Sequence, residues 1–163
     1  MTLEYNQILV AIDGSKEAQW AFKKSIEIAK RNEAVLNLIH VVDTRSFTAM
    51  TKRVPGPDDA IFSDGKKVLE KYKEEAQAAG LQEVNVFVVP GSPKKVIAHD
   101  YAKKLDADLI ICGAQGLNAF QHFLMGSVSQ HIVTASPVDV LVVRRDLNMT
   151  NQESDSGAQT EEM

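Results

Sequence analysis

The chain has a single cysteine, Cys112, among its 163 residues. An internal disulfide is therefore excluded, and no Cys/His spacing suggests a metal site. No apolar run approaches the ~20 residues that a helix needs to cross a bilayer. The opening residues, Met1-Thr2-Leu3-Glu4-Tyr5, lack the basic stretch that precedes the apolar core of a secretion signal. Together these absences predict a cytoplasmic protein without a membrane partner. Basic charge is not in excess either, since the formal net charge is −4. Residues 146–163 hold Asp146, Glu153, Asp155, Glu161 and Glu162 with no Lys or Arg, so residues 1–145 sum to +1. A nearly neutral body offers no broad nucleic-acid surface. The acidic, aromatic-free tail reads as disordered.

What is present is an alternation of short apolar runs and amphipathic segments over residues 1–145. A hydrophobic content of 44% suits one domain with a real core. Ile8 to Ile12 predicts a first strand, broken by Asp13-Gly14, with Ser15 placed to cap a helix. Ala18, Ala21, Phe22, Ser25, Ile28 and Ala29 then share one helical face. Val35 to Val42 predicts the second strand, and Asp43 to Pro57 reads as a loop. Ile61, Val68, Leu69, Tyr72, Ala76 and Ala79 outline a long helix that Gly80 stops. Val84 to Val89 predicts a third strand ended by Pro90-Gly91. Ser92-Pro93 starts a helix lined by Ala98, Tyr101, Ala102 and Leu105. Asp108 to Cys112, Ser127 to Ala135 and Val138 to Val143 predict strand, helix and strand.

Near-continuous apolar strands belong to parallel sheets covered on both faces. With right-handed crossovers, the expectation is an α/β fold: one doubly wound, Rossmann-like, five-stranded parallel sheet of order 3-2-1-4-5. Ligands of such sheets bind beyond the carboxyl ends of the strands, where the winding reverses. Asp13 and Gly113 would face that crevice.

The joint between the fourth strand and the helix after it is the most informative stretch. It reads Gly113-Ala114-Gln115-Gly116, nine further residues, then Gly126-Ser127-Val128-Ser129. Most such connections span about 2–6 residues. Glycines between a strand and a helix start allow backbone N–H groups to approach an anion, and the helix N-terminus adds unpaired N–H groups. This is no Walker loop, because Gly-x4-Gly-Lys-Ser/Thr is absent, and it is no Gly-x-Gly-x-x-Gly fingerprint. Without a lysine, anionic charge must be offset by N–H groups, the Ser127 and Ser129 hydroxyls, the helix dipole and a phosphate-bound metal. No acidic residue lies between Asp108 and Asp139. Phosphoryl transfer ordinarily needs such carboxylates, so the site reads as one that holds a nucleotide with slow or no hydrolysis. Asp13 has two readings, an acceptor for ribose or adenine groups and a turn residue before Gly14. Cys112 reads as a small buried hydrophobe.

At these residues the chain resembles the universal stress protein family, in its ATP-binding branch. Ile8 to Ser15 is similar to the family's opening strand and turn, His40-Val41-Val42-Asp43 to its second strand, and Asp108 to Gly113 to its fourth. Gly113-x2-Gly116-x9-Gly126-Ser127 matches its nucleotide signature, and Ser136 to Val143 resembles its closing strand. The resemblance implies a Rossmann-like domain, similar to the adenine nucleotide alpha hydrolases, over residues 1–145. It implies that Ala11, Ile12 and Asp13 meet adenine and ribose and that Val41 meets the adenine ring. It places Gly113, Gln115 and Gly116 around ribose and phosphates, and Gly126, Ser127, Val128 and Ser129 on the phosphate chain. ATP, or another adenine nucleotide, would come with Mg²⁺ or Mn²⁺ held mainly by phosphates. Gln115 stands where a basic residue or histidine is common, which removes a cation. The family commonly pairs through its last strand, and an apolar edge at Val138 to Val143 independently invites a homodimer. The expected role is a nucleotide-dependent regulator in the stress response. A slow ATPase or phosphotransferase, and a nucleotide-free dimeric interaction protein, are the rivals.

Overall fold

The computed structural model describes residues 3–115 and 125–144. The tail after residue 144, Gly116 and the rest of the joint through residue 124 lie outside the described residues. Five strands form one parallel sheet in the order β3-β2-β1-β4-β5: β1 Gln7–Ala11, β2 Val35–Asp43, β3 Val84–Gly91, β4 Leu109–Gly113 and β5 Asp139–Val143. Val10 pairs with Leu38 on one side and Ile111 on the other, so β1 is central. The chain winds outward through β2 to β3, then crosses to β4 and β5. The reversal lies between β1 and β4, as the strand pattern predicts.

Among the described residues, five helical segments accompany the sheet: α1 Lys16–Asn32, α2 Thr44–Thr51, α3 Ala60–Ala78, α4 and α5 Ser127–Ala135. The segment named α4 here joins Pro93–Lys95, a π-helical stretch Val96–Tyr101 and Ala102–Lys104. Alternate residues of each strand serve opposite faces. Ile8, Val10, Leu36, Leu38 and Ile111 pack with Phe22, Ala29, Leu69 and Ala76 of α1 and α3. Leu9, Ile39, Ile110 and Cys112 pack with Val96, Ile97, Ala102 and Ile132 of α4 and α5. A packed apolar cluster lies on each face, which is why the strands read as continuous apolar runs.

Ser15 caps α1 as expected, its Oγ accepting from the Ala18 N–H at 3.1 Å. Ile26, rather than Ile28, is the isoleucine buried under that helix. The predicted loop from Asp43 to Pro57 contains α2. Asp43 starts it by accepting from the Arg45 N–H at 3.0 Å, and none of its residues is buried. A helix without a buried stripe leaves no apolar period to read. A second correction concerns α3. Ile61 and Val68 are exposed, and the inner side carries Gly65, Leu69 and Ala76. A Cβ on Gly65 would stand 3.2 Å from both His40 and Val88, so a glycine allows α3 to lie close on β2 and β3. The third strand also runs on through Pro90 to Gly91. It is an edge strand, where proline's missing N–H is tolerated. Ser92 stands at the cap position of α4, yet its side chain makes no capping bond.

Candidate functional site

The carboxyl ends of the strands open into a cavity of about 460 Å³. Its floor comes from β1 and β2. The chain leaves β1 through Ala11, Ile12 and Asp13, all of which line the cavity, as does Val41 near the end of β2. Two bonds fix this floor. The Ile12 N–H donates to the Ile39 carbonyl at 2.8 Å, and the Ile12 carbonyl accepts from the His40 Nδ1 at 2.8 Å. Since a carbonyl can only accept, the His40 Nδ1–H is the donor and serves the backbone of the floor.

Asp13 is the turn residue before Gly14. One carboxylate oxygen accepts from the Ser15 N–H at 2.9 Å, which forms the turn, while the residue stays exposed on the cavity rim. The turn passes through Gly14 at φ 84°, a left-handed conformation that glycine reaches without cost.

The glycine joint forms the opposite wall. Its two described ends meet: the Gly126 N–H donates to the Ala114 carbonyl at 2.7 Å, and the Ala114 N–H donates to the Val143 carbonyl of β5 at 2.8 Å. The Ser129 hydroxyl, buried at 4% exposure, is turned onto the carbonyls of Ala114 and Gly126 at 2.9 and 3.0 Å. Ser15 fastens the joint from the other side, since its Oγ also reaches the Gln115 carbonyl at 3.4 Å. Four groups thus close the joint around the start of α5.

That start offers unpaired backbone N–H groups to the cavity. Ser127, Val128 and Ser129 are the first three residues of α5, preceded by Gly126, which has no side chain to cap them. The first N–H groups of a helix have no intrahelical partner. Gly126, Ser127, Val128 and Ser129 all line the cavity, with Gly113 and Gln115 beside them. Every expected site residue within the described range is thus brought to one cavity, and Gly116 falls outside that range. Cys112 lines the same cavity at 4% exposure. Burial, with Asp13 nearby, pushes its thiol up to about 12, so it is a packing residue and no nucleophile at neutral pH.

Sequence reasoning missed the third side of the cavity. Asp43, Arg45 and Ser46 come from the end of β2 and the first turn of α2, and Pro93, Lys94 and Ile97 from α4. Asp43 and Arg45 form an ion pair at 3.5 Å. Arg45 was hidden because its helix was read as loop. Ser92-Pro93 signalled the start of α4, and the parallel topology could have placed that start at the cavity.

No group of three or more His, Cys, Asp or Glu among the described residues forms a metal cluster. Of the carboxylates lining the cavity, Asp43 is engaged by Arg45 and Asp13 by its own turn. The donor set therefore fits a divalent ion only as a companion of ligand phosphates. No described helix is long and apolar enough to cross a membrane.

The sequence profile of the Universal stress protein family matches residues 4–144. A relative from Staphylococcus saprophyticus that carries the family's name is 45% identical over 149 residues, covering 88% of this chain and 86% of its own length. Among solved structures, universal stress protein UspA from Lactobacillus plantarum aligns with a TM-score of 0.75 at 29% identity, over 88% of this chain and 100% of its own. A universal stress protein family member from Arabidopsis thaliana, solved with AMP bound, aligns with a TM-score of 0.63 at 22% identity, over 89% of this chain and 95% of its own.

Proposed function

This chain belongs to the universal stress protein family, and on that premise we propose that it is an ATP-binding regulator of the stress response that holds its nucleotide with slow or no hydrolysis. The observation that carries this reading is the convergence of Gly113 and Gly126, the two described glycines of the signature, and the Asp13 turn on one cavity. The Arabidopsis protein, solved with AMP bound, shares this fold, and the spacing of the joint supports the same reading for this chain.

In this reading adenine lies against Ile12 and Val41, and the free Asp13 oxygen accepts from ribose hydroxyls. The phosphates meet the first N–H groups of α5 and the Ser127 hydroxyl. Ser129 acts by position, because its proton is already given to the joint. Mg²⁺ or Mn²⁺ rides on the phosphate oxygens. Among the described residues, the carboxylates lining the cavity, Asp13 and Asp43, are tied to a turn and to an ion pair, which leaves little to activate a water and favours holding over spending. The protein acts in the cytoplasm.

Dimerisation is part of the same reading. β5 is an edge strand, and Val140, Leu141 and Val142 stay partly exposed on it. An unpaired apolar edge is a template for a second copy of itself. Light scattering at micromolar concentration should give twice the chain mass, and a monomeric mass would remove this part.

The test of the nucleotide reading is the Gly126→Val variant. A branched side chain at the mouth of the cradle should abolish calorimetric ATP binding while circular dichroism stays unchanged. Normal ATP binding by that variant would contradict the cradle.

A further inference from the structure

We propose that Lys94, a residue outside the glycine signature, supplies the cation for the ligand's phosphates and sets a preference for polyphosphates over unphosphorylated adenosine. The proposal rests on the nucleotide reading above and adds a specificity residue to it.

The joint has no such cation of its own, and a phosphate-bound divalent ion offsets only part of a triphosphate's charge. The joint's described residues, Gly113 to Gln115 and Met125 to Ser129, include no Lys or Arg. Helix N–H groups carry only about half a unit of positive charge, which a di- or triphosphate far exceeds. Among the described residues, the Lys and Arg side chains that line the cavity are those of Arg45 and Lys94, and His40 there is engaged with the Ile12 carbonyl. Arg45 is paired with Asp43, and its side chain is 74% exposed. Lys94 is partly buried, and among the described residues it has no carboxylate in ion-pair range.

Its position is fixed by the backbone. Gly91 turns the chain at φ 146°, where a Cβ would stand 2.8 Å from Val96. Pro93 then locks φ at the first helical position. The following residue is therefore held at the cavity wall. Residues Pro93–Lys95 pack against α5, whose first turn is the anion end of the cavity. The strand order puts the start of α4 and the glycine joint on opposite sides of the β1 floor. An ammonium on a flexible four-carbon stem can reach a phosphate from there. Lining walls of low dielectric strengthen the attraction.

Calorimetry with adenosine, AMP, ADP and ATP separates this claim from the one it rests on. Lys94→Met should bind adenosine as the wild type does and lose affinity progressively with phosphate number, by about tenfold for ATP. Its ATP affinity should also fall less steeply with added salt. Lys94→Arg should retain most of the preference, and Lys95→Met, altered at the exposed neighbour, should leave all four affinities unchanged. Melting temperatures of the three variants report folding independently. Wild-type ATP affinity in Lys94→Met, or an equal loss for adenosine and ATP, overturns the Lys94 assignment while the nucleotide reading stands. Failure of the wild type to bind any of the four ligands overturns both.

Discussion

The backbone of Gly113 lies directly against Glu17: a Cβ added at Gly113 would stand 2.7 Å from the Glu17 Cβ and 2.8 Å from its carbonyl carbon. The first glycine of the signature is thus required by packing, because it seats the first turn of α1 on the end of β4. That turn carries Ser15, which fastens Gln115. Gly113→Ala should therefore act on stability first, costing about 1–3 kcal/mol through overpacking. Thermal unfolding should show a lower Tm, with ATP affinity reduced as the joint loosens. An unchanged Tm would show that α1 gives way freely.

Ser127 and Ser129 should behave differently although both line the cavity. Ser127→Ala removes a hydroxyl free to meet a charged ligand, a bond worth about 1.5–3 kcal/mol. A tenfold or greater loss of ATP affinity with an unchanged Tm is expected. Ser129→Ala removes the staple to Ala114 and Gly126, so Tm should fall first, by a destabilisation of about 1–2 kcal/mol. Calorimetry and melting curves on both variants check the contrast, which reverses if Ser129 is the phosphate donor.

The Cys112 thiol, raised to about 12 by burial and then by Asp13, should resist alkylation at pH 8 in the folded protein. Iodoacetamide labelling followed by mass spectrometry should show modification only after denaturation. Rapid labelling of the native protein would contradict the packing described for β4.

The segment after α2 should loosen in acid. Arg53 holds the Asp59 carboxylate with a bond of 2.8 Å and, with the Gly56 N–H, lowers its pKa from 3.8 to about 2. A depressed carboxylate contributes stability that is present above the unfolded value and is lost as pH falls through the folded one. The clip should therefore be intact at neutral pH and release between about pH 4 and pH 2. Hydrogen exchange of residues 53–59 should rise as pH falls through that range, and Arg53→Gln should weaken the dependence, leaving the Gly56 bond. A flat profile in the wild type would show that the pair does not hold the segment.

The five strands and their order were legible because a sheet buried on both faces prints continuous apolar runs such as Leu109 to Cys112. α5 was legible to its exact bounds, since glycine and a following apolar period mark it. α2 was not legible, because it buries nothing and its Asp43 cap looks like any loop residue. α3 was read on the wrong side at Ile61 and Val68, since the residue that decides its contact is Gly65, which has no hydropathy to count. The glycine joint was legible as part of the site, and its described ends do line the cavity, but the division of labour within it was not legible. Gly113 and Ser129 serve packing and closure, and only their three-dimensional neighbours Glu17 and Ala114 reveal that. Arg45 and Lys94 escaped because nothing in the local sequence ties them to a loop that lies far along the chain.

The central claim is that this cavity keeps an adenine nucleotide. The most direct measurement is to purify the wild-type protein gently, denature it, identify any released nucleotide by chromatography and mass spectrometry, and titrate the emptied protein with ATP. The account predicts release of an adenine nucleotide from the wild type and none from Gly126→Val, with ATP rebinding only to the former. A wild-type protein that releases no nucleotide and shows no heat of ATP binding would contradict it.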